Sequence, residues 1–226
     1  MKDFTVSVRK LTDLDLMREA CEMTFLGTSH QSLLSIYKSE HSPVRTQLFW
    51  IAAKHIPLFI ATHLLRHHVG SVPFQLTCRD DRQGANPGLI AKLDSVIEKL
   101  KSGVSTESFS GIIDELEWIQ NNSDRYTPVN LGLLINAQSL IDMAKLRLCS
   151  GQAHHETVTV FQEIKNQIKQ IDPDLASMMV RKCVYRGGLC GEPRCCGFNH
   201  TLKFKQEMTD YIQYFSDKQI GCYIKD

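Results

Sequence analysis

The stretch from Thr62 to Arg82 constrains the fold most, because a buried segment turns there into a dense group of hydrogen-bond donors. The apolar run IPLFIATHLL leads into it. Its donor side chains include His63, Arg66, His67, His68, Ser71, Gln75, Thr77, Cys78, Arg79 and Arg82. Arginine offers phosphate a fixed fork of N–H groups, and histidine offers a titratable one. The stretch therefore predicts an anion site. The alternative is a basic helix end that complements the helix dipole and continues into a solvated loop.

The rest of the chain predicts a mixture of helices and short strands. Weak alternation predicts a strand at Phe4–Val8, and TQLFWIAA predicts a second one. Pro57 suits the first turn of a helix from Leu58 to about Arg66. Two further helices are predicted from their caps, one after Asp13 or Asp15 and one after Ser105 or Thr106. Apolar spacing predicts helices from Leu89 to Gly103 and from Glu156 to Ile171. The last two predicted helices cover LASMMVRKC and TLKFKQEMTDYIQYF.

Composition narrows the classes of function. The 226 residues are 42% hydrophobic and 23% charged, which is enough for one sizeable core. A net charge of +1 without a long block of like charge argues against binding nucleic acid by bulk electrostatics. The sequence opens with no apolar signal region and holds no apolar stretch of membrane-spanning length. We therefore expect a cytoplasmic protein without a membrane or nucleic-acid partner.

The Thr62–Arg82 stretch resembles the signature of the flavin-dependent thymidylate synthases, which reads R-H-R-x-x-S followed by an E/Q-x-S-x-R half. Arg66, His67 and Ser71 match the first half directly. With one extra residue near Pro73, Gln75-Leu76-Thr77-Cys78-Arg79 matches the second half. Two positions differ, since His68 replaces an arginine of the family and Asp80 replaces a tyrosine.

Three further passages resemble the same family, and the last of them is the Cys/Gly-rich segment at residues 183–200. EHSP and HIP precede the signature where the family has H-x-S-P and V-P. After the signature, the family has N-A-R-S-L, L-R-x-x-S and A-Q-W-E, and this chain has NAQSL, LRLCS and AHHE at the corresponding places. Arg125 corresponds to an arginine of the family that comes before these three elements. Asn136 and Arg147 are eleven residues apart, which is three helical turns, so we expect them to face one site.

The resemblance implies an α+β fold in which long helices flank a small mixed or antiparallel sheet. It implies a single domain over residues 1–226 that assembles as a homotetramer. The implied reaction is FAD-dependent reductive methylation of dUMP to dTMP. Methylenetetrahydrofolate supplies the carbon, and NADPH reduces the flavin.

The resemblance also assigns roles to individual residues. The implied nucleotide-binding residues are His63, Gln75, Thr77, Arg79, Arg125 and Arg147. Arg147 is the implied catalytic residue, because the family's arginine at this position polarises the pyrimidine base. The implied FAD-binding residues are Arg66, His67, His68, Ser71 and Asn136.

The departures from the family pattern leave the reaction open. Besides His68 and Asp80, Gln138 replaces an arginine, and His154-His155 replaces Gln-Trp. One alternative is that the same flavin and folate machinery forms another C5-modified pyrimidine deoxynucleotide, as a hydroxymethyl product or from dCMP. The other is a non-catalytic relative that binds nucleotide or a partner.

A Cys/Gly-rich segment spans residues 183–200. It places Cys183, Cys190, Cys195 and Cys196 within fourteen residues. Without a secretion signal we do not expect a disulfide framework. One interpretation is a tetrahedral zinc site, with His200 as a further ligand, although the spacing lacks the usual C-x2-C pair. The other is a compact knuckle of reduced thiols that pack as small apolar groups.

Overall fold

The computed structural model describes residues 4–24, 26–76, 87–103, 109–122 and 124–218. Several sequence predictions fall outside these ranges: Thr77, Cys78, Arg79, Asp80 and Arg82 of the signature stretch, and the helix cap at Ser105 or Thr106.

Four strands form one antiparallel sheet in the order β1-β2-β4-β3. Their bounds are Thr5–Lys10 for β1, Leu48–Pro57 for β2, Ser71–Gln75 for β3 and Pro128–Asn136 for β4. The predictions of β1 and β2 are confirmed. β3 was not predicted, because it is a short strand with a proline, which only the edge of a sheet tolerates.

The described residues contain ten α-helices. They are α1 (Leu14–Glu22), α2 (Leu33–Ser39), α3 (Leu58–Leu65), α4 (Pro87–Lys101), α5 (Phe109–Asn122), α6 (Ala137–Arg147), α7 (His155–Ile171), α8 (Pro173–Met178), α9 (Lys182–Tyr185) and α10 (Leu202–Asp217). The predicted long helices are confirmed, and Asp13 is the cap of α1. α2 was not predicted.

Two details of the helix predictions were wrong. LASMMVRKC is not one helix, because the backbone leaves the helical region at Met179 (ψ 76°), between α8 and α9. Pro57 does not lie in the first turn of α3. Its extended ψ of 141° makes it the last residue of β2 and the N-cap of α3.

One face of the sheet carries the core. Residues alternate between buried and partly exposed along β2 and β4, so Phe49 and Ile51 point to the same side as Leu133 and Ile135. α3, α6 and α7 contribute Leu64, Leu140 and Phe161 to the same core cluster. The prediction of an α+β fold with a small antiparallel sheet is confirmed. No helix in the described ranges has both the length and the apolarity to cross a bilayer.

Candidate functional site

The end of α3 and the end of α6 meet through a hydrogen bond between two residues predicted for the site. Nε of Arg147 donates to Nε2 of His67 at 3.0 Å. Arg147 is only 9% exposed, although it is the last residue of its helix. An arginine on a helix surface extends into water, so the burial of Arg147 counts against a surface position for this residue. In the Thr62–Arg82 stretch, Arg66 and His68 are exposed.

His67 accepts this bond in its neutral form. Burial, and then the charge of Arg147, lower the pKa of His67 to about 4, while Asp142 acts weakly in the opposite direction. The imidazole is therefore uncharged near neutral pH, with its proton on Nδ1. It orients the guanidinium of Arg147 without neutralising its charge.

Further cationic side chains surround His63. Burial lowers the pKa of His63, and so do the charges of Arg147, Arg66 and Arg125 in that order. We call His63, Arg66, His67, Arg125 and Arg147 the cationic cluster. Among the described residues, no carboxylate forms an ion pair with its three arginines. The cluster thus carries a positive charge that an anionic ligand would compensate.

The aromatic ring of Phe59 packs beside the cationic cluster. The guanidinium carbon of Arg125 lies 4.9 Å from the centre of the Phe59 ring. The rings of Tyr126 and His154 meet Phe59 edge-on at 5.3 and 5.1 Å. These contacts fix the direction of Arg125 and place His154 next to the cluster.

The start of α7 adds to the positive potential. His154 is the N-cap of this 17-residue helix, yet its side chain makes no capping bond. His63 Nδ1 lies 3.1 Å from Oγ1 of Thr157, in the first turn. The N–H groups at a helix N-terminus attract anions, so they add to the field of the cationic cluster, and Glu156 in the first turn of α7 partly offsets them.

His154, His155 and Glu156 form a group of metal-ligand type, since their ligand atoms all lie within 4.8 Å of one another. Nδ1 of His154 and Oε2 of Glu156 are 3.7 Å apart, and neither hydrogen-bonds to any described residue. A cation here would meet the field of the neighbouring arginines, which opposes it.

The turn after α3 is fixed onto the start of α6. Gly70 adopts a φ of +73°, and a Cβ at this position would lie 2.2 Å from Nδ2 of Asn136. The Asn136 N–H donates to the carbonyl oxygen of Gly70 at 3.0 Å, and Oγ of Ser139 donates to that of Val69 at 2.6 Å. Glycine is required here by both the left-handed backbone and the close approach.

The residues predicted to bind FAD divide into two groups. Asn136 caps α6 by accepting from the Ser139 N–H, and Ser71 Oγ donates to the carbonyl oxygen of His67, so both stabilise the local backbone. Arg66 and His68 are exposed, and His68 Nδ1 reaches only its neighbour's carbonyl oxygen, at 3.3 Å. These two donors fit an anionic cofactor such as the diphosphate of FAD.

The other predicted site residues do not all converge. Asn136 and Arg147 lie at opposite ends of α6, about 16 Å apart along its axis, so they flank the turn instead of meeting at one point. Gln75 is the last residue of β3 and pairs with Leu131. Gln138 donates to Glu40 at 2.6 Å, outside the cluster.

Three contributors to the site were not predicted: Phe59, His154 and Thr157. Phe59 belongs to the apolar run that was assigned to packing, and Thr157 follows from no motif. The adjacent His154, His155 and Glu156 just before a predicted helix were a usable signal, because such a run places titratable groups at a helix N-terminus.

Comparison of the chain with protein-family models gives no match, and comparison with curated proteins gives no significant match.

The state of His67 predicts a specific dependence of stability on pH. Its pKa is about 4 in the folded protein against 6.5 in the unfolded chain. As the pH falls between these values, the unfolded chain takes up a proton that the folded protein does not, so stability is lost. Urea unfolding measured across this range should show a smaller loss for His67→Gln, which keeps an acceptor for Arg147. Equal losses in the two proteins would contradict a neutral, buried His67.

Proposed function

We propose that the protein is an FAD-dependent synthase that reductively methylates dUMP to dTMP, with carbon from methylenetetrahydrofolate and electrons from NADPH. The observation that supports this most is the cationic cluster without a carboxylate partner. Both arginines that the family resemblance assigns to the nucleotide, Arg125 and Arg147, belong to it.

Arg147 is the residue we assign to the pyrimidine base. Its Nε is engaged by His67, whereas its Nη groups form no hydrogen bond with the described residues. Donation from these groups to a carbonyl oxygen of the base would stabilise the negative charge that develops when C5 acts as a nucleophile. His67 keeps the guanidinium in place for this role.

Arg125 and the start of α7 are assigned to the nucleotide phosphate. Arg125 is exposed, and its guanidinium lies against the Phe59 ring, so it can present its donors without rearranging. A phosphate here would meet both its charge and the N–H groups at the start of α7.

The flavin supplies the redox chemistry when it is bound, and the protein supplies binding and orientation. Arg66 and His68 would hold its phosphate groups. Asn136 and Ser71 act on the same site indirectly, because they fix the turn that carries these donors.

We also propose that the chain works as a homotetramer, because the α4–α5 pair leaves a large apolar surface uncovered. Its side chains are 39–56% exposed: Leu93, Ile97, Leu100, Phe109, Ile113 and Leu116. Apolar surfaces of this extent usually mark an interface, and symmetric self-association is the commonest way to cover one. Native mass spectrometry should give four times the chain mass, and a smaller species for Ile97→Lys with Ile113→Lys. A monomeric wild-type protein would contradict this assembly.

The His154–Glu156 pair favours one second candidate, in which the product carries a hydroxymethyl group. The two groups lie beside the cationic cluster, 3.7 Å apart, and neither of these atoms hydrogen-bonds to a described residue. A histidine with a free ring nitrogen near a carboxylate can act as a general base towards water. Attack of water on the transferred one-carbon group would then replace its reduction.

Mass spectrometry of the nucleotide product separates these candidates. The protein is incubated with FAD, NADPH and methylenetetrahydrofolate, and with dUMP or dCMP separately. Conversion of dUMP to the mass of dTMP supports the synthase. A hydroxymethyl mass that disappears in His154→Ala supports the second candidate. If the protein takes up no FAD and forms no product from either nucleotide, both are wrong.

A further inference from the structure

Arg181 lines two cavities that lie outside the cationic cluster. The smaller one, of about 20 Å³, gathers Cys149 with the four cysteines of the Cys/Gly-rich segment. Among the described residues, no three of their sulfurs lie within 4.8 Å of one another, and Sγ of Cys195 donates to Oδ1 of Asn199 at 3.3 Å as a neutral thiol. These thiols therefore do not fit the zinc interpretation of the segment.

The larger cavity, of about 330 Å³, lies between α7, α8 and α10. This volume is at the lower end of the range for small-molecule sites. Buried apolar side chains form its floor: Leu148, Ala176 and Val180. Exposed polar side chains form its mouth: Gln162, Lys169 and Asp210. The cavity thus offers an apolar interior that is reachable from solvent.

α10 contributes two tyrosine rings to the wall of this cavity. The hydroxyl of Tyr214 donates to Oδ1 of Asp174 at 2.8 Å, and the ring of Tyr211 meets that of Phe215 edge-on at 5.1 Å. These contacts hold both rings in place, so a planar group can pack against them with little rearrangement of the protein. The wall therefore favours an aromatic ligand.

The half-buried Lys165 of α7 also lines the cavity. Among the described residues, its amine forms neither a hydrogen bond nor an ion pair. Burial lowers the pKa of Lys165, the charge of Glu207 acts in the opposite direction, and the charges of Lys169 and Arg181 lower it further. The charged amine thus lacks a counter-charge in contact with it, and the anionic group of a ligand would supply one.

The two carboxylates that line the cavity are engaged elsewhere. Oε2 of Glu207 lies 2.9 Å from Nε of Arg181, and Asp210 accepts from Nε2 of Gln206 at 2.7 Å. Three cationic side chains line the cavity against these two carboxylates. This balance suits a ligand with a single negative charge, such as a carboxylate, better than a phosphate monoester with a charge of about −2.

We propose that this cavity binds a small aromatic carboxylate, with its ring against Tyr211 and Tyr214 and its carboxylate at the amine of Lys165. Lysine is a compact point charge, so it pairs with a carboxylate without the fixed geometry that arginine requires. The described lining residues include no member of the cationic cluster. This site does not depend on the proposed function.

Calorimetric titration of the full chain with 2-naphthoate tests this site. We expect saturable binding to the wild-type protein, and binding at least about tenfold weaker to Lys165→Met, which keeps the length of the side chain but removes its charge. The cationic cluster keeps its arginines in this variant, so the loss identifies the cavity. Lys205→Met removes an exposed lysine of α10 outside the cavity and should leave the affinity unchanged.

Two further ligands test the chemistry of recognition. 2-Naphthamide has the same shape without the charge, and inorganic phosphate has the charge without the ring, so both should bind much more weakly than 2-naphthoate. The site is overturned if either binds as tightly as 2-naphthoate, if 2-naphthoate does not bind, or if Lys165→Met binds it as the wild type does.

A measurement on the wild-type protein covers the case in which a variant fails to fold. Lysine acylation followed by peptide mapping should show that 2-naphthoate protects Lys165 and leaves the modification of Lys205 unchanged. Equal modification of Lys165 with and without 2-naphthoate contradicts binding at this amine.

Discussion

Replacing Arg147 by alanine is expected to abolish nucleotide turnover while the folded protein still binds FAD. The guanidinium is buried, held by His67 at 3.0 Å and surrounded by uncompensated positive charge. Loss of a preorganised donor to developing charge typically costs a factor of about 10²–10³ in kcat. Arg66 and His68, the exposed side chains assigned to the cofactor, remain in the variant.

Two control variants separate the chemical role of Arg147 from its charge. Arg147→Lys keeps the charge but loses the planar donor group that reaches His67, so turnover should stay far below that of the wild type. Arg9→Ala removes an exposed arginine on β1 and should change turnover little. Steady-state rates and bound flavin are measured for each purified protein. Turnover near the wild-type rate in Arg147→Ala would refute the assignment.

Replacing Asp172 by alanine is expected to lower the free energy of unfolding by about 3–5 kcal/mol, the usual cost of breaking a buried charged pair. Asp172 is 1% exposed. Its Oδ2 accepts from Lys10 at 2.6 Å and from the Tyr37 hydroxyl at 2.8 Å, while its Oδ1 caps α8. Burial, and then Asp172, raise the pKa of Tyr37, so this hydroxyl remains a donor and would lose its acceptor.

Urea unfolding of two related variants tests whether this network is the cause. Asp172→Asn keeps one oxygen, which can serve either the cap or the Tyr37 hydroxyl but not both, so its loss of stability should be intermediate. Asp174→Asn changes a half-buried residue of α8 whose Oδ1 accepts from Lys218 at 2.6 Å and from the Tyr214 hydroxyl at 2.8 Å. The amide keeps an oxygen for both donors, so this substitution should cost less than Asp172→Ala. An Asp172→Ala protein as stable as Asp174→Asn would show that the network contributes little.

The sequence predicted the parts of the site that lie within one motif or one helix. Arg66, His67 and Arg147 were assigned from local matches. Apolar spacing predicted α3, which ends just before Arg66, whereas the helix that ends at Arg147 was implied by the resemblance. β3 was not predictable in the same way, because a short strand with Pro73 exists only through its pairing with β4.

Contacts between distant elements were also beyond the sequence pattern. Phe59 and His154 meet because α3 passes the start of α7, and no spacing rule encodes that crossing. Cys149 precedes Cys183 by 34 residues, so only the fold brings it to the other thiols. Gln138 is the opposite case. Its position in the motif suggested that it lies at the site, whereas its side chain hydrogen-bonds to Glu40, outside the cationic cluster.

The turn at Gly70 is hydrogen-bonded to the first residues of α6, so this helix sets a fixed distance between the turn and Arg147. The turn fixes its beginning, and the bond to His67 fixes its end. Inserting or deleting one residue between Asn136 and Arg147 would rotate the guanidinium by about 100° and shift it by about 1.5 Å. Chains that share this arrangement must therefore preserve the interval itself, whereas the outward-facing side chains within it are free to change.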